Sequence, residues 1–128
     1  MSKQDVQDAI KDLNRKRDEN LEKLDSLTKV YNDMDDDVFM AKRQDEKFLT
    51  DSKYVPKDIE EIYEERRKLY FDFLDKSDEA KAELKNKKEK LMKEYDEELE
   101  RLNKELKEYD EDKDEDSGEE NNSEEKED

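Results

Sequence analysis

Carboxylates are the reactive side chains this chain carries in quantity. Asp33, Asp35, Asp36 and Asp37 place four acids within five positions, the kind of oxygen cluster that a hard cation takes. We read them instead as a solvated helix face beside Met34 and Val38. Further on, Asp110, Asp112, Asp114 and Asp116 alternate as the ligands of a calcium loop do. Such a loop needs glycine at its sixth position and glutamate at its twelfth. Counted from Asp112 the sixth residue is Ser117, and counted from Asp110 it is Glu115. The pattern fails, and neither a metal nor a cofactor is expected.

The rest of the catalytic repertoire is missing. The chain has no histidine and no cysteine, which removes the commonest general base, the thiol nucleophile and the soft-metal ligands. Its one glycine, Gly118, lies in an acidic stretch, so no glycine-rich loop can cradle a phosphate. The chain is therefore expected not to be an enzyme, with no catalytic residues, and to act by binding other proteins.

The elements that position these groups follow from composition. Of 128 residues, 55% are charged and 29% hydrophobic, too few apolar groups to fill a closed core but enough to line a seam between long helices. Glycine and proline occur once each, which leaves almost none of the turn chemistry that a multi-stranded sheet requires. The class is all-α.

Two apolar series with helical spacing divide the chain. The first runs Val6, Ile10, Leu13, Leu21, Leu24, Leu27, Tyr31, Met34, Val38, with its weakest stretch at Asn14 and Arg17. Ser2 followed by Asp5 resembles a capping box, so a helix is expected over about 3–45. A turn follows at about 48–55, where Thr50, Asp51 and Ser52 precede Pro56, a residue suited to the first helical position. The second series, Ile59, Ile62, Leu69, Phe73, Ala80, Leu84, Leu91, Tyr95, Leu102, Leu106, Tyr109, predicts a helix over about 56–109. Glu83–Lys87, Glu89–Lys93, Glu97–Arg101 and Glu100–Lys104 are spaced to pair along it.

Two helices joined by a short turn fold back as a long antiparallel hairpin or coiled coil over 1–109. All four phenylalanines, with Tyr31, Tyr54, Tyr63 and Tyr70, fall between residues 30 and 74. An aromatic-rich head is therefore expected at the turn, with a thinner stalk of 3–28 and 77–109 and a kink at 75–78. Phe39, Tyr70 and Phe71 sit one residue off the main stripe and are the head's candidates for contact with a partner. Leu91, Tyr95, Leu102 and Leu106 are the candidates for a partner or oligomer seam in the stalk. A seam this lean predicts a homo-oligomer, a dimer or larger.

The formal net charge is −17, and residues 110–128 hold twelve acids against two lysines. That segment has no apolar residue to bury and is expected to be a disordered acidic tail. The charge weighs against direct nucleic-acid binding. MSKQDVQDAI has no apolar run and does not read as a signal peptide. No stretch is apolar enough to span a membrane, and a cytoplasmic location is expected.

In overall character the chain resembles the small, acidic, helical scaffolding proteins of bacteriophage heads, a likeness of class that rests on no motif. It implies virion assembly through many weak protein contacts, and an assembly, scaffolding or adaptor role is the leading expectation. A second is an acidic inhibitor that imitates nucleic acid before a basic groove. A third is a helical-hairpin partner of a secretion system.

Overall fold

The computed structural model describes residues 2–120 in backbone and 2–110 in side-chain detail. The fold is all-α: helix α1 spans Lys3–Asp51, helix α2 spans Lys57–Glu120, and the two pack antiparallel. Both helix starts follow from sequence. The Ser2 backbone N–H donates to Asp5 Oδ2 at 3.1 Å, and the Asp5 N–H donates back to Ser2 Oγ at 3.1 Å. This closes the reciprocal box. Those same bonds from Ser2 hold the Asp5 carboxyl below its ordinary pKa. At α2 the Glu60 N–H bonds the Pro56 carbonyl at 2.9 Å, so proline sits where its missing N–H costs nothing.

α1 is longer than its apolar series implied. It continues through the expected turn to Asp51, because Ser52 ties off the last turn: its N–H and its hydroxyl both donate to the Phe48 carbonyl, at 3.1 and 2.7 Å. The connection is therefore 52–56, shorter than the expected 48–55. The chain also passes through 75–78 as unbroken helix, and Ser77, expected at a kink, is 2% exposed. α2 runs on to Glu120 along its backbone, so the acidic segment expected to be disordered from residue 110 overlaps this helix over 110–120. Residues 121–128 lie outside the described residues.

The structure divides into two compact units. Among the described residues, one holds 2–21 with 89–120. Val6 and Leu102 are its buried apolar side chains, and the side-chain amide of Asn20 donates to the Tyr95 hydroxyl at 2.7 Å. Arg101 here pairs with Glu98 and Glu105, where the spacing had suggested Glu97.

The other unit, 22–88, contains the turn. Its inward positions recur every seven residues, the period of a coiled-coil seam. On α1 they are Leu24, Tyr31, Val38 and Asp45, interleaved with Thr28, Asp35, Lys42 and Leu49; on α2 they are Tyr63, Tyr70, Ser77 and Leu84, interleaved with Leu74, Lys81 and Lys88. This corrects the apolar series. Ile62 and Leu69 are 50% and 67% exposed and Leu27 is 49% exposed, while the polar Asp35 and Ser77 are buried in their stead.

The expected aromatic head does not form. Among the described residues one pair of rings stacks, Phe48 on Tyr63 with centroids 5.0 Å apart. Phe39, Phe71 and Tyr54 are exposed, because the seven-residue seam passes beside the first two and the third stands in the turn.

Candidate functional site: an apolar face on the turn-containing unit

Polar groups tie the two helices of the 22–88 unit together. Lys81 reaches Asp35 Oδ2 at 2.6 Å and Asn32 Oδ1 at 3.1 Å, and Lys88 reaches Asp25 Oδ1 at 3.0 Å. Arg66 grips Asp45 with two N–H groups, each at 2.8 Å. The Tyr70 hydroxyl donates to the same carboxylate at 2.9 Å and accepts from Arg66 at 3.0 Å. Burial would by itself raise the Asp35 pKa, but the Lys81 ammonium and the neighbouring Ser77 hydroxyl outweigh it and hold the carboxyl below the ordinary range. Asp35 Oδ1 and the Ser77 hydroxyl nevertheless close no hydrogen bond of good geometry. Arg66 is pushed above its ordinary pKa, chiefly by its bonds to Asp45 and Tyr70.

These contacts also sort the two sides of the seam. Lys81–Asn32, Lys88–Asp25 and Lys42 over the Phe71 ring at 5.2 Å lie along one side. Near the turn the same side carries a groove of about 360 Å³ with Glu46, Glu60, Glu64 and Arg67 in its wall. Phe48 on Tyr63, and Arg66 on Asp45 and Tyr70, mark the other side.

That second side is apolar. The positions three residues after each of Leu24, Tyr31, Val38 and Asp45 are Leu27, Met34, Ala41 and Phe48. Those three after Tyr63, Tyr70, Ser77 and Leu84 are Arg66, Phe73, Ala80 and Lys87. One turn further out lie Val30 on α1 and Ile62 and Leu69 on α2. Arg66 and Lys87 are the two charges among these eleven, and the Arg66 guanidinium is turned onto Asp45. Leu27, Val30, Phe48, Ile62 and Leu69 are each 44–67% exposed. Together they present on the order of 400 Å² of apolar surface, the scale of the patches that mark interaction sites.

A rim of charge borders this face. On α1 it comprises Asp33, Asp37 and Asp51 with Lys23 and Lys47; on α2 it comprises Asp58, Glu65, Asp72, Glu79 and Glu83 with Lys76. Asp33, Asp51 and Asp72 pair along their own helices with Lys29, Lys47 and Lys76. Asp37, Asp58, Glu65, Glu79 and Glu83 make no ion pair among the described residues, so the rim's unbalanced charge is negative.

No protein family, curated protein or solved structure matches this chain. Its chemistry is read from its own residues.

The candidate contact residues separate. Phe39 and Phe71 are exposed, 48% and 47%, on the charged side, where Lys42 and Arg67 lie over the Phe71 ring. Tyr70 is half-buried in the Arg66–Asp45 cluster. Leu91, Tyr95, Leu102 and Leu106 all belong to the other unit, where Leu102 is 3% exposed and the other three are half-buried between the helices. The apolar side itself was missed because Leu27, Ile62 and Leu69 had been assigned to the seam. Each stands next to a polar seam residue, Leu27 beside Thr28 and Leu69 beside Tyr70, and that adjacency is the signal that distinguishes the two stripes. Of the four clustered acids, Asp35 turns into the seam and Asp33 pairs with Lys29. Among the described residues no three carboxylates converge on a metal site, and no helix is long and apolar enough to cross a membrane.

Proposed function

We propose that this chain is a non-enzymatic assembly or adaptor protein that acts through protein–protein binding. The observation that supports it is the apolar side of the 22–88 unit. A chain with 55% charged residues leaves Leu27, Val30, Phe48, Ile62 and Leu69 exposed along one side of a helix pair. Isolated apolar side chains on a surface need no explanation, but several on the same side of two packed helices do. Helix pairs bind partners by laying such a stripe against another amphipathic surface. The charge elsewhere keeps the protein soluble and speeds encounter without supplying specificity at short range.

The test begins with a photo-crosslinking residue at Leu69 in the native cell, followed by direct titration of the captured protein against the full-length chain and residues 1–109. A saturable interaction that survives truncation and weakens little with salt supports the adaptor reading. Residues 110–128 carry most of the net charge. Loss of binding on their removal, with a steep salt dependence, would replace that reading with an acidic decoy for a nucleic-acid-binding protein.

A further inference from the structure

We infer that the apolar side of the 22–88 unit is the seat of one amphipathic helix from a different protein, whose apolar stripe is flanked by lysine or arginine. The inference rests on the adaptor reading and names the chemistry of the partner.

The face has the dimensions of a helix seat. Phe48, Ile62, Leu69 and Phe73 lie toward the turn, and Leu27 and Val30 lie toward the other end of the unit, where Lys88 meets Asp25, so the apolar groups are strung out along the helix axes. A third helix laid there meets apolar groups from both neighbours, the packing a three-helix bundle uses. An exposed apolar surface of the order of 400 Å² suits a single helix.

The rim decides between a foreign helix and a second copy. In a two-fold dimer the same patch meets itself, so the negative border would face an identical negative border. Asp37, Glu65, Glu79 and Glu83 would then be brought together without partners, a juxtaposition that disfavours association. A helix with basic flanks turns each of those carboxylates into a complementary contact. Arg66 offers no competing charge, since Asp45 already holds it, and Lys87 stands at the end of the face away from the turn.

Two synthetic helical peptides of about 21 residues, long enough to hold a helix in water, test this. Both carry one leucine stripe; one is flanked by lysine and the other by glutamate. Fluorescence anisotropy against the full-length chain should show binding of the lysine peptide and at least tenfold weaker binding of the glutamate peptide. The double variant Ile62→Ser, Leu69→Ser should weaken the lysine peptide at least tenfold, while Phe39→Ser, Phe71→Ser on the opposite side should leave it unchanged. Both variants replace exposed side chains, and their helical circular dichroism checks the fold. The variant Glu65→Lys, Glu79→Lys should erase the preference for lysine flanks without altering the apolar face. The inference is overturned if Ile62→Ser, Leu69→Ser does not weaken the lysine peptide, since binding is then by charge alone. It is equally overturned if the chain by itself sediments as a dimer that this variant dissociates, since the seat then belongs to a second copy. A partner captured in the cell whose binding ignores Ile62 and Leu69 would sink this inference and leave the adaptor reading standing.

Discussion

Lys81 on α2 reaches across the seam to Asp35 on α1, with Nζ 2.6 Å from Oδ2, and the carboxylate it meets is only 7% exposed. Where a helix pair ordinarily buries aliphatic side chains, this one buries a carboxylate beside a half-buried ammonium. Taking charges from water costs what their attraction returns, so such pairs fix register more than they add stability. Lys81→Met should therefore destabilise the fold more than the double variant Asp35→Leu, Lys81→Met, which should match or exceed the wild type in urea. Equal losses in the single and double variants would mean the two groups are not coupled.

The same pair sets a pH dependence. Asp35 has a folded pKa below its ordinary 3.8, so its contribution is complete above that value and is lost as pH falls through the lower folded one. Lys81, raised above 10.5 chiefly by its bond to Asp35, contributes fully below 10.5 and loses that contribution as pH rises through its folded value. The stability difference between wild type and the double variant should be flat between those limits and change at both ends. A change centred near neutral pH would contradict the assignment.

Leu102 and Leu69 are both leucines with helical spacing, yet one is 3% and the other 67% exposed. Leu102→Ala should cost about 2–5 kcal/mol, as buried leucine truncations do. Leu69→Ala should stay within about 0.5 kcal/mol. Urea midpoints at constant m-value give both numbers, and a reversed order would mean that α2 is rotated about its axis.

Arg66 holds both Asp45 oxygens at 2.8 Å. A lysine supplies one point charge in place of the planar fork, so Arg66→Lys should lower stability, though by less than about 1 kcal/mol at this half-exposed site. Thermal melts of Arg66→Lys and Arg66→Ala that coincide would fit this; full retention by lysine would show that charge alone matters.

Removing the hydroxyl in Ser2→Ala opens the box at the start of α1, for a loss of about 1 kcal/mol. The effect should be local, with faster amide exchange over the first turns and little change near Leu24. Uniformly faster exchange along α1 would instead make the cap a determinant of the whole helix.

Local chemistry made much of this fold legible in advance. Ser2, Asp5 and Pro56 act within a single turn of backbone, so the two helix starts and the antiparallel pairing could be read before any contact was known. The end of α1 was not readable in that way, since Thr50 and Asp51 look like turn residues until Ser52 is seen bonding back to the Phe48 carbonyl.

What the sequence alone determined is the class: a charge-rich chain with one glycine, one proline and no histidine or cysteine, whose apolar groups recur at helical spacing in two blocks. Which apolar residues face inward was decided by tertiary structure. Helical periodicity fixes a stripe only to within one neighbour, and Ile62 and Leu69 suit the period as well as Tyr63 and Tyr70 do. The choice was made across the seam, where Asp45 draws Arg66 and Tyr70 together and Asp35 draws Lys81. Those contacts turn polar groups inward and leave a row of large apolar side chains outside. Only the partner helix supplies the opposite charges that set this rotation, so the exposed face could not be read from either series by itself.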